Sequence, residues 1–139
     1  YKVNADIWSL TSVNQLTRDG QAAARWNLLH PGETPRQSYL AKQLESHSGP
    51  VVIATDYMKN HAEQLRAFID RPLHVLGTDG YGRSDAREAL RSFFEVDRRY
   101  IVVAALRQLA DSGEIEMGVV SKALKKLAID ADKTDPLYA

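Results

Sequence analysis

The most constraining stretch of this 139-residue chain is residues 73–94, LHVLGTDGYGRSDAREALRSFF. Leu73, Val75 and Leu76 predict a strand, and Gly77, Gly80 and Gly82 predict a turn. Ser84 or Asp85 then opens an amphipathic helix. A strand that passes through glycines into a capped helix is the unit on which α/β proteins build binding and contact surfaces. The glycine spacing does not match the dinucleotide fingerprint, and no Lys-Ser or Lys-Thr follows it as in a P-loop. Asp79 and Asp85 would repel a phosphate at the helix start. The stretch therefore reads as a structural turn of positive-φ glycines that can still form a shaped contact.

The rest of the chain supplies a matching series of elements. Residues 5–12, ADIWSLTS, alternate in the manner of a strand, and Ser12 can cap a helix from Val13 to about His30 in which Gly20 is a weak point. Thr34, Pro35 and Gln37 form a capping box for a helix to about Ser46 with Tyr39, Leu40 and Leu44 as its buried stripe. The apolar run Val51–Ala54 fits a strand covered on both faces. Asp56 can cap the next helix, whose inner side is Met58, Ala62, Leu65, Phe68 and Ile69. Asp97 can cap a helix through Asp111 with Gly113 beyond its end, and a last helix spans about Met117 to Leu127. The order implies an α/β fold with helix, sheet and helix layers around a mostly parallel sheet of three strands. We expect one domain over 1–139, with 129–139 as a surface tail.

Composition narrows the function. The 18 basic and 18 acidic residues balance, which gives no support to nucleic-acid binding or to an anionic membrane surface. The longest apolar run, Ile101–Leu106, falls far short of the roughly 20 residues that cross a bilayer. With no cysteine, disulfides, thiolate nucleophiles and cysteine zinc sites are excluded, and a cytoplasmic location is the expectation. No targeting leader is visible, and a chain that opens almost directly on a strand looks cut from something larger.

Candidate sites are few. His30, His47, His61 and His74 lack metal-ligand spacing and read as structural or surface residues, and no Gly-x-Ser-x-Gly elbow occurs. Arg83, Arg87 and Arg91 recur every four residues, beside Asp85 and Glu88. They could offer a face to an acidic partner or lie as a solvated face of exposed ion pairs. Trp26, flanked by Arg25 and Asn27, reads as core or interface packing. By residues alone, the chain is an α/β module without catalytic apparatus.

Five blocks carry a resemblance that covers essentially the whole chain in order. They are ARWNLLHPGETPR (24–36), ATDYMKNHAEQLR (54–66), VLGTDGYGRSDAREALRSFFEVD (75–97), YIVVAALRQLADSGEI (100–115) and IDADK (129–133). The series resembles the C-terminal domain of the homodimeric bacterial pyruvate dehydrogenases, and Asp79, Tyr81, Gly82 and Ser84 also resemble the wider transketolase group. The resemblance implies a parent oxidoreductase that decarboxylates pyruvate and passes the acetyl group to the lipoyl arm of dihydrolipoyl acetyltransferase. It implies that thiamine diphosphate and magnesium sit in preceding domains across a dimer interface. Gly77-Thr78-Asp79-Gly80 resembles the cofactor signature only superficially, since the downstream asparagine is missing. No catalytic, cofactor or metal residue therefore carries over to this chain.

What the resemblance leaves to this domain is contact: with other domains of the parent, with the homodimer partner, or with the acetyltransferase. The candidate interface is Gly77, Asp79, Gly80, Tyr81, Gly82, Arg83, Ser84, Asp85 and Arg87, with Trp26. The alternative is a free-standing interaction or small-anion-binding module. In the family a further strand and helix precede the position of Tyr1. Their absence would make the isolated chain fragile or drive it to borrow a strand.

Overall fold

The computed structural model describes residues 1–139. In chain order it contains α1 (Val13–Leu29), α2 (Tyr39–Leu44), β1 (Val51–Ala54), α3 (Lys59–Glu63), a single 3₁₀ turn (Arg66–Phe68), β2 (Leu73–Leu76), α4 (Arg87–Phe93), α5 (Arg98–Asp111) and α6 (Met117–Lys126). β1 and β2 pair in parallel, with Val51 opposite Leu73 and Ala54 opposite Leu76. The crossover between them runs through α3 and the 3₁₀ turn.

Strand alternation sends the side chains into two cores. Val51, Ile53, Leu73 and Val75 pack with Val13, Ala62, Leu65 and Ile69, joined by Leu16, Leu40 and Leu44, so α1, α2 and α3 cover that face. Val52 and Leu76 point the other way, into Phe94, Val96, Ala104, Leu90 and Ile101 of the α4–α5 layer. The result is the expected three-layer α/β arrangement around a very narrow sheet. α6 adds a third cluster outside it, with Val120 and Ala123 against Leu106.

The strand expected at residues 5–12 does not form: residues 1–12 are an arm without helix or ladder bonds, and Ile7 is 97% exposed. A strand needs a backbone partner, whereas this arm is held by side chains. Trp8 meets the His47 ring edge-on at 5.3 Å, and Asp6 lies 3.6 Å from the same imidazole. Side chains also engage carbonyls of the two strands: Arg66 donates to Leu73 at 3.0 Å and Gln108 to Val51 at 3.2 Å.

Local signals explain most helix ends. Ser12 accepts from the Gln15 amide and caps α1, as the sequence predicts. Gly20 is no weak point there, because the Phe68 ring lies where its Cβ would be, with Cγ only 2.5 Å from that position. The capping box at Thr34 is not used. Instead Asn27 accepts from the Arg36 amide at 2.7 Å and donates to the Arg36 carbonyl at 2.9 Å, which holds the chain out of helix until Ser38 caps α2. Tyr39 accordingly stays exposed, while Leu40 and Leu44 pack inward.

Three helices end alike. After α5 the Glu114 amide donates to Leu109 and the Gly113 amide to Ala110, with Gly113 at φ 80°. The same pair of bonds closes α4 (Val96 to Arg91, Glu95 to Ser92) and α6 (Ile129 to Leu124, Ala128 to Lys125). These are Schellman ends, whose left-handed residue is usually glycine. Here Glu95 at φ 61° and Ala128 at φ 51° take that place against the steric preference of an L-residue.

Candidate interface at the end of the sheet

Parallel strands discharge their following loops at the same end of the sheet, so residues 55–58 after β1 and 77–86 after β2 meet there. Thr78 joins them, its amide donating to the Tyr57 carbonyl at 2.9 Å and its hydroxyl to the Asp56 carbonyl at 2.8 Å. Asp79 completes the seam by accepting from the Lys59 amide at 2.9 Å, with the Lys59 ammonium 3.7 Å from its other oxygen. The expected cap, Asp56, instead pairs with Arg91 at 3.4 Å. α3 is thus capped by a carboxylate from the neighbouring loop.

Each glycine of the turn has its own reason. Gly77 allows the backbone to pass within 2.7 Å of where a Cβ would meet the Tyr57 carbonyl and the Lys59 amide. Gly80 takes φ 97° and lies directly against the Pro136 carbonyl. Gly82 has open space around it and no positive φ. The expectation of positive φ therefore holds at one of the three. The loop exposes Tyr81, at 84%, beside the polar Arg83, Ser84 and Asp85, and across the seam Tyr57 and Met58 are 69% and 59% exposed.

The arginine series does not form a face. α4 begins at Arg87 rather than at Ser84 or Asp85, because Asp85 turns its carboxylate onto the Ala86 amide at 2.6 Å. Arg83 therefore lies in the loop, its guanidinium 4.2 Å from the centre of the Phe93 ring. Arg91 is used internally, donating to the Val96 carbonyl at 3.0 Å as well as pairing with Asp56. Arg87 and Ser84 are exposed.

Trp26 lies apart from this loop, on the last turn of α1. It stacks on His30 at 4.4 Å with the rings 9° from parallel, and the Arg36 guanidinium lies 4.1 Å from its centre. Of the expected interface residues, Gly80–Asp85 are exposed and Asp79 is half-buried, whereas Gly77 is buried against the Tyr57–Lys59 backbone and Trp26 braces the α1–α2 loop. Tyr57 was not singled out in the sequence, and Met58, expected on the inner side of the following helix, is instead exposed because α3 starts only at Lys59; both lie in the loop after β1, as Tyr81 lies in the loop after β2. In a parallel sheet that equivalence puts both at one end.

The polar groups of the seam are engaged with one another. The Thr78 hydroxyl and the Asp79 carboxylate, the only side chains of the Gly-Thr-Asp-Gly run, are bonded to Asp56 and Lys59. They do not fit a magnesium diphosphate, which would need them free. No three histidine or acidic side chains are grouped so as to hold a metal ion, and no helix is long and apolar enough to cross a membrane.

The family described as the transketolase-like TK C-terminal domain matches residues 1–97, and the chain belongs to that family. Relatives named pyruvate dehydrogenase E1 component extend the similarity to the whole chain. The one from Pseudomonas aeruginosa is 53% identical over 99% of this chain, that from Escherichia coli K12 53% over 100%, and that from Cupriavidus necator 51% over 97%. The chain spans only 15–16% of the length of these relatives.

Proposed function

We propose that this chain is the C-terminal domain of a pyruvate dehydrogenase E1 component and serves its parent through contact rather than chemistry. The parent oxidatively decarboxylates pyruvate and reductively acetylates the lipoyl group of dihydrolipoyl acetyltransferase in the cytoplasm. Its thiamine diphosphate and magnesium are held by other domains. The observation that carries the reading is the identity of about half over nearly all of this chain, against a sixth of the relatives' length.

Within that parent, the rim of Tyr57, Met58 and Tyr81 on the Asp79 seam is the surface that meets a neighbouring domain or the homodimer partner. Exposed aromatics on a rigid, hydrogen-bonded base are the common material of such contacts. The free-standing anion-binding alternative is not favoured by the arginines it rests on, since Arg91 is paired with Asp56 and Arg83 lies against the Phe93 ring in the loop before α4.

Gly82→Val in the complete polypeptide tests the assignment. A Cβ at Gly82 meets nothing within 4 Å in this chain and the residue has no positive φ, so the position has room for a side chain on its own side of the contact. The expected result is dissociation or weakened association in sedimentation, with a larger effect on assembly than on thiamine diphosphate affinity. Loss of cofactor binding with the dimer intact would overturn it.

A further inference from the structure

The last residues of the chain return to the candidate interface and grip it at Gly80 and, beside it, the end of α4. Pro136 is buried, and its carbonyl lies against Gly80. Asp135 shapes the tail there, accepting the Leu137 amide on its carboxylate and the Tyr138 amide on its carbonyl, both at 2.9 Å. Three residues before Pro136, the Lys133 ammonium fills the C-terminus of α4. It donates to the Phe93 carbonyl at 2.5 Å and the Ser92 carbonyl at 3.3 Å, and pairs with the Glu95 carboxylate at 3.2 Å.

Glu95 is the left-handed residue of the α4 end, where glycine would avoid the steric cost. Glycine could not bind Lys133. Phe93 links the two grips, since its ring is approached by Arg83 of the loop at 4.2 Å and by Lys133 of the tail at 5.3 Å.

We propose that residues 133–139 are a strap that sets the conformation of loop 77–86 and the end of α4, with Lys133 and Glu95 as its buckle. The strained backbone at Glu95 is kept because its side chain anchors the tail. Contact at Tyr81 then depends on a segment more than 50 residues further along the chain. The inference concerns contacts within the chain, and stands whether or not the loop meets a neighbour.

The test compares the full-length protein with Lys133→Met and with a chain ending at Asp132. Two readouts are used: amide exchange at Phe94, Glu95 and Val96, and cleavage after Arg83 by an arginine-specific protease. The expected result is exchange about tenfold faster at those three amides and faster cleavage after Arg83 in both variants, with α1 and β2 amides unchanged. Unchanged exchange at Phe94–Val96 would overturn the strap. So would acceleration spread equally over α1 and β2, which would mark a general loss of stability. Amide exchange at the end of α4 reads the strap away from the Tyr81 rim, whereas Gly82→Val reads association, so the strap and the interface can fail separately.

Discussion

Asp79 caps a helix to which it does not belong: its carboxylate receives the amide of Lys59, 20 residues earlier in the chain, at 2.9 Å. The bond welds the loop after β2 to the start of α3, so the shape of the exposed rim and the stability of the crossover depend on one side chain. Asp79→Ala should lower unfolding free energy by about 1–2 kcal/mol, the worth of an N-cap. Asp79→Asn, which keeps the acceptor, should recover most of it. Denaturant titration of both variants checks this, and equal losses would show that the charge rather than the cap matters.

Gly20 faces the Phe68 ring so closely that a methyl group cannot enter unless the ring moves. Replacing a mid-helix glycine by alanine normally stabilises by about 1 kcal/mol. Gly20→Ala should instead destabilise by about 1–3 kcal/mol, as overpacking does. Combining it with Phe68→Leu should cost less than the sum of the two single changes, and strict additivity in a double-mutant cycle would refute the contact.

Ala128 closes α6 at φ 51° with its side chain exposed. Ala128→Gly relieves the left-handed strain of about 1–2 kcal/mol and gives back part of that in unfolded-state entropy. A gain of about 0.5–1 kcal/mol is expected in thermal unfolding. Glu95→Gly makes the same backbone change but removes the partner of Lys133, so its gain should be smaller or negative.

Asp97 caps α5 and governs part of the acid sensitivity. Burial pushes its carboxyl pKa up, but the Arg99 side chain and the amides of Arg99 and Tyr100 outweigh that and hold it below the usual 3.8. A folded pKa below the unfolded one means stability is fully present above about 3.8 and is lost as pH falls through the folded value. Asp97→Asn should lower stability at neutral pH by about 1 kcal/mol and flatten the decline below pH 4. An unchanged acid limb would assign it to other carboxylates.

Much of this arrangement is legible in residue order. The runs Val51–Ala54 and Leu73–Leu76 become strands with those bounds, and Asp97 and Gly113 mark α5 as drawn. Local signals work where the competing partner is also local. They fail where the partner is distant. Thr34-Pro35-x-Gln37 loses to an Asn27 that grips Arg36, Asp56 loses its capping role to Asp79, and ADIWSLTS has the pattern of a strand but no ladder to join. Nor does the sequence hint that Lys133 would fold back onto Glu95, because a lysine in a polar tail looks like any other.

The two bonds from Asn27 to Arg36 have a consequence for how this region can change. One carboxamide imitates a rung of sheet and draws the ends of a hoop together, with Trp26, His30 and Arg36 at its neck. Residues 31–35 hang outside that neck, beyond the end of α1, so their number is free to vary while α1 and α2 keep their places. Insertions among related chains should collect inside the hoop, and the asparagine at its base is the one residue there that length variation cannot spare.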